Sequence, residues 1–143
     1  MDRSFVEKNR ASNQRLRLLV GHLTEEQLGR KMGADWTVAI ALAHLAFWDR
    51  RVQLVLDGTE RDGKLFAVEI NVIVNDVLLP IWAAIPVREA ARLAIETAQA
   101  VDKRLETFPP APLEQVNAHN PRWVQRSLHR NEHLDEMDRA LKG

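Results

Sequence analysis

Cysteine is absent from the chain, which excludes disulfides and thiolate metal sites together. Any metal must then sit on nitrogen and oxygen donors, so zinc, nickel, iron and manganese are the candidate ions. Excess charge is absent too, because 20 Lys and Arg balance 20 Asp and Glu. That balance removes any general attraction to nucleic acid or to an anionic membrane. Long apolar runs are also missing: the longest uncharged stretch, Trp36 to Trp48, is too short to span a bilayer. From Met1 to Gly21 charged and apolar residues alternate without a compact apolar stretch, so no signal peptide is expected. Together these absences lead to the expectation of a soluble cytoplasmic protein.

What remains is a chain of 143 residues, 45% of them hydrophobic. That is enough to bury a core within a single domain over 1–143. Phe5, Ser12, Leu16, Leu19 and Leu23 recur at helical spacing, predicting an amphipathic helix over Ser4 to Leu23. Thr24-Glu25-Glu26-Gln27 has the form of a capping box and predicts a short turn that fades between Gly29 and Gly33. Thr37 is the expected N-cap of a second long helix, ending near Leu56 before Asp57-Gly58 and apolar nearly all round from Val38 to Trp48.

A loop from Asp57 to Lys64 should follow. Leu65 to Ala84 reads as a helix kinked or ended by Pro80, with Phe66, Ile70, Ile73, Val77 and Ile81 on one face, and a buried strand is the alternative. Pro86 suits a helix start, and Val87 to Phe108 has helical periodicity until Pro109, Pro110 and Pro112 stop it. Asn120-Pro121 then predicts an N-cap and first helical residue for a last helix reaching Leu141. Four long helical segments in a chain of this size predict an all-α four-helix bundle with a long crossover between the second and third.

Histidine supplies the chemistry in this pattern. His129 and His133, four residues apart with no breaker between them, stack on one helical face at the edge of an apolar stripe formed by Trp123, Leu134, Met137 and Leu141. His44 projects from the apolar second helix. Three neutral imidazoles on rigid helices can hold one divalent metal and leave a coordination position open. The plainer reading makes them core histidines bonded to carbonyls or carboxylates. Arg122 and Arg126 fall near the same side and could bind an anionic substrate, or remain solvated charges. Arg130 lies within the stripe, to snorkel outward or pair with a buried acid. Glu132 and Glu136 flank the pair, to orient a ligand ring or accept a proton, or to form salt links with neighbouring arginines.

Trp36-Thr37-Val38, the run Leu42-Ala43-His44-Leu45-Ala46-Phe47-Trp48-Asp49, and the later His129-Arg130-Asn131-Glu132-His133-Leu134-Asp135-Glu136-Met137 together resemble the DinB-like superfamily. That superfamily includes bacillithiol- and mycothiol-dependent transferases and the metal-binding half of mycothiol-dependent maleylpyruvate isomerase. The resemblance covers the chain through the order of helices and the histidine spacing. It implies a bundle in up-down-down-up order, His44, His129 and His133 as ligands of zinc or nickel, and a homodimer. It also places Glu69 to Asp76, with Asn71 and Asn75, near a pocket mouth, where the other reading is a surface or dimer-contact stripe. His22 and His119 match nothing in the pattern and read as structural.

The first functional expectation is therefore a metal-dependent enzyme acting on a small-molecule substrate. In a transferase a low-molecular-weight thiol attacks an electrophile; in a hydrolase water attacks instead. Glu136 is the catalytic candidate in support of the ligands, and Arg122 and Arg126 are the substrate-binding candidates. The alternatives are a non-catalytic, metal-stabilised dimeric module for a stress-response partner, and a bundle that binds no metal.

Overall fold

Side-chain caps appear at the starts that the sequence marks. The computed structural model describes residues 1–142. Helix α1 spans Ser4–Gly21. Thr24 then closes a reciprocal capping box with Gln27 (Gln27 N–H to Thr24 Oγ1 3.1 Å, Thr24 N–H to Gln27 Oε1 2.9 Å) and opens α2, Glu25–Leu28. Thr37 Oγ1 accepts the Ile40 N–H at 3.1 Å and opens α3, Val38–Asp62. Helix α4 spans Val74–Ala83, α5 Val87–Thr107, α6 Pro110–His119 and α7 Arg126–Lys142. The architecture is mostly helical, and among the described residues no helix is long and apolar enough to cross a membrane.

Several boundaries depart from expectation. The residues before Thr37 do not fade into coil: β1 (Lys31–Met32) and β2 (Trp36–Thr37) pair antiparallel around a turn where Gly33 takes φ 70°. Helix α3 runs through Asp57-Gly58, because Val55, Leu56, Gly58 and Thr59 are buried and packing outweighs the weak helix propensity of glycine. It ends instead at Gly63, in the left-handed conformation, whose N–H reaches the Thr59 carbonyl. Leu65 to Ile73 is irregular, so neither the long helix nor the buried strand forms there. Pro80 lies inside α4 without ending it.

The expected apolar face of that segment is turned out: Phe66, Ile73, Val77 and Ile81 are exposed, while Leu78, Leu79 and Trp82 pack on Ala39, Ile40 and Ala43 of α3. The prolines after Phe108 stop α5 and then start α6, with Pro110 at its first turn, where a missing N–H costs nothing. Asn120 does cap, but the turn it caps is a 3₁₀ turn, Pro121–Trp123, and α7 begins only at Arg126.

The four long helices pack in a ring. Helix α3 lies against α5 and α7, and α1 lies against α5 and α7. Their senses follow from which ends meet. Arg104, late in α5, bonds Asp57 and Glu60, late in α3, so these two helices run the same way. Arg10 of α1 meets Glu106 of α5, and Asp49 of α3 meets Arg126 of α7, so both of those pairs are antiparallel. Leu16, Val20, Leu42, Leu45, Ala94, Leu134 and Met137 fill one end of the interior, and Phe5, Val52, Leu56, Leu105, Leu113 and Trp123 fill the other.

A polar layer separates the two apolar ends. Arg130 Nη1 donates to Asp102 Oδ2 at 2.9 Å, to Ser12 Oγ at 3.0 Å and to the Asn9 carbonyl at 3.2 Å, while Nη2 reaches Asp102 Oδ1 at 3.1 Å and Asp49 Oδ2 at 3.4 Å. Arg126 Nε donates to Asp49 Oδ1 at 2.8 Å. Two guanidinium groups thus meet two carboxylates, and each of the four long helices contributes at least one member. Burial alone works against the Arg130 charge, yet Asp49 and Asp102 hold it firmly protonated.

Candidate metal centre

The three histidines foreseen as ligands come together. His44 arrives on the largely buried first half of α3, and His129 and His133 arrive one turn apart on α7, on the face turned toward α3. One ring nitrogen from each lies within 4.8 Å of those of the other two, so this group could hold a metal ion. His44 Nε2 stands 3.0 Å from His129 Nε2. Nitrogen ligands about 2.0–2.1 Å from a tetrahedral ion stand about 3.3 Å apart, so that separation fits. An all-imidazole donor set suits borderline divalent ions, in accord with a chain that has no thiolate to offer.

Aromatic groups wall the cluster. Trp36, delivered by the β1–β2 turn, stacks on His133 at 5.9 Å between centroids and also abuts His44 at 4.8 Å. Trp82 of α4 meets His44 edge-on at 5.5 Å. Burial among these rings pushes all three imidazoles toward the neutral, ligating form. His44 is lowered to about 3 by burial and then by His133; His129 is driven lower still by burial and then by the Arg126 charge. His133 is also lowered by burial, partly offset by Glu136 and Glu132.

Hydrogen bonding assigns the tautomers in this state. Arg126 Nη2 lies 3.4 Å from His129 Nδ1 and can only donate, so the His129 proton sits on Nε2 and points at His44 Nε2. The His44 proton is left on Nδ1, which is buried without a partner. With a metal ion in the cluster, His44 Nε2 would offer its lone pair directly, whereas His129 Nε2 would first have to give up the proton it holds here.

The other candidates are placed as follows. Glu136 is exposed at 45% of its side chain, with Oε1 3.2 Å from His133 Nδ1, though no aligned hydrogen bond joins them. Glu132 is bonded to Arg122 at 2.9 Å on the surface. Arg122 and Arg126 both line a cleft of about 220 Å³ that opens onto His44 and His129. The Arg126 charge is already met by Asp49, so it braces the His129 ring from behind. Asn75 lies at the same cleft and accepts the Trp48 indole N–H at 3.0 Å. His119 bonds Glu69 at 2.6 Å away from the cluster, and His22 closes α1 at the surface.

Reasoning from sequence did not single out Asp49, Asp102 or Arg51. A signal for the two acids was there: Asp49 lies four residues after Leu45 and three before Val52, and Asp102 four after Ala98 and three before Leu105. Both therefore fall on buried faces, where a carboxylate needs a cation, and Arg130 in its apolar stripe was the matching half. No protein-family model, curated protein or solved structure matches this chain.

Proposed function

We propose that the chain is a DinB-like four-helix bundle, in up-down-down-up order with a long crossover, and that it is a divalent-metal-dependent enzyme. The carrying observation is the convergence of His44, His129 and His133 beside a cleft. The bundle reading is supported by the ring of α1, α5, α3 and α7, by the parallel α3–α5 pair, and by the α4-containing crossover that a parallel pair requires. Zinc or nickel suits three imidazoles. A divalent ion held there supplies Lewis acidity, which makes a low-molecular-weight thiol or a water nucleophilic at neutral pH.

The chain's own residues shape that chemistry. Trp36 covers His44 and His133 and Trp82 covers His44, while the cleft, with Trp48 in its wall, leaves another approach to His44 and His129 open to a small molecule. Arg126, fixed by Asp49, holds His129 in position. Glu136 stands where it can take the Nδ1 proton of His133. The absence of cysteine requires that any sulfur nucleophile come from outside the chain. A thiol-dependent S-transferase is therefore the leading assignment and a hydrolase the next.

Metal analysis of tag-free protein tests the site, with near-integer zinc or nickel expected and lost in His133→Ala. The loaded protein is then incubated with several low-molecular-weight thiols and a generic electrophile. Metal-dependent conjugate, abolished in His44→Ala, is the expected result. Metal content without turnover of any thiol or ester substrate would leave a non-catalytic, metal-stabilised module, and no metal uptake would remove the site altogether.

A further inference from the structure

Among the described residues, one cation in the cleft has no carboxylate in ion-pair contact. The cleft is lined by three guanidinium groups, those of Arg51, Arg122 and Arg126, and by no carboxylate. Arg126 is neutralised by Asp49 and Arg122 by Glu132. Arg51, seven residues after His44 on α3 and so on the same face, has only the Val68 carbonyl as acceptor, 3.2 Å from Nη1, and its Nε is buried without a partner. Burial and then the Arg126 charge push the Arg51 guanidinium down to about 10, so it still carries its charge at neutral pH; Glu69 opposes that shift, and its carboxylate is bonded to His119.

The guanidinium is also held in place. Its central carbon lies 4.8 Å from the Trp48 ring and 4.6 Å from the Trp123 ring, so two indoles fix its position from α3 and from the 3₁₀ turn. A planar cation with unmet donors, immobilised beforehand, is suited to receive a carboxylate through parallel N–H···O bonds. A single uncompensated positive charge matches a single negative one. The volume of about 220 Å³ is below the range of drug-sized pockets, so the occupant is small.

We propose that Arg51, clamped between Trp48 and Trp123, is the anchor for a small monocarboxylate substrate whose other end faces His44 and His129. The proposal rests on the metal-enzyme reading only for what the far end of the substrate meets; the anchor itself requires no ion.

The probes are benzoate, its neutral isostere benzamide and inorganic phosphate. Each is titrated by calorimetry into wild-type protein with and without zinc, and into R51Q, R51K and R122Q, with zinc content measured on each sample. Benzoate is expected to bind wild type at least tenfold more tightly than benzamide and more tightly than phosphate. R51Q should weaken benzoate at least tenfold without altering zinc content, R51K should fall between R51Q and wild type, and R122Q should change affinity less than threefold. The benzoate–benzamide comparison needs only wild-type protein and so stands even if R51Q fails to fold. Equal binding of benzoate and benzamide, tighter binding of phosphate, an R51Q affinity equal to wild type, or an R122Q loss as large as that of R51Q would each overturn the assignment. Arg51-dependent benzoate binding by a protein that takes up no zinc would refute the metal reading alone, while zinc uptake without Arg51-dependent binding would refute the anchor alone.

Discussion

Two buried carboxylates, one buried imidazole and two half-buried ones decide most of what single substitutions will do. Asp49 lies between Arg126 and Arg130, so Asp49→Asn leaves a positive charge uncompensated in the interior. Breaking such a pair costs about 3–5 kcal/mol, and urea denaturation should show a loss of that order. The same change in the exposed Arg122–Glu132 pair, Glu132→Gln, should move stability by less than about 0.5 kcal/mol. The histidines set a pH dependence whose sign is fixed by their lowered pKa values. Folded protein keeps them neutral, with His44 down to about 3, whereas unfolded chain takes up their protons below about 6.5. The unfolded state therefore binds more protons, and the metal-free protein loses stability as pH falls from about 6.5 toward 3, by up to about 1.4 kcal/mol per pH unit for each histidine. Denaturation at pH 7, 6 and 5 measures the slope, and His129→Asn should reduce it by one proton.

At the scale of elements, α3 shows how a turn signal can be overruled. Asp57-Gly58 reads as a stop, yet Gly58 is a mid-helix residue covered by Phe66 from the irregular segment that follows. A Cβ at Gly58 would overlap the Phe66 ring and its Cβ, so the absence of a side chain there makes room for the return of the chain. Gly58→Ala gains about 1 kcal/mol in helix propensity but should incur an overpacking cost of about 1–3 kcal/mol. Its denaturation midpoint is expected to be unchanged or lower than wild type. In a Phe66→Gly background both the ring and the Cβ that would be overlapped are gone, and the same substitution should become stabilising by about 1 kcal/mol. A stabilising Gly58→Ala in the wild-type background would show that Phe66 does not pack there in solution.

For the whole molecule, the α3–α7 pairing links folding to metal. The ligands come from two helices that meet only in the folded state, so an ion bound there is bound by the native protein and hardly at all by the unfolded chain. Zinc at 100 times its dissociation constant should raise stability by about 2.7 kcal/mol, read as an increase in Tm that a chelator reverses. His44→Ala should abolish that increase. A rise in Tm that survives the substitution would place the ion elsewhere.

Local interactions carry the part of this protein that can be read from its residues in order. The caps at Thr24, Thr37 and Asn120, the periodicity of α1, α5 and the first half of α3, and the spacing of His129 and His133 involve neighbours within a turn or two, and all appear in the structure. Segments whose conformation depends on distant partners were not legible in this way: the extension of α3 under Phe66, the outward face of α4, the helix begun by Pro110, and the hairpin that carries Trp36. The residues of the centre divide along the same line. Three histidines could be named from sequence, but that Asp49 would neutralise Arg126, leaving Arg51 beside them without an ion-pair partner among the described residues, depended on which faces of α3 and α7 met. Charge pairing falls off within a few ångströms, and only tertiary packing brings residues 77 positions apart to that distance.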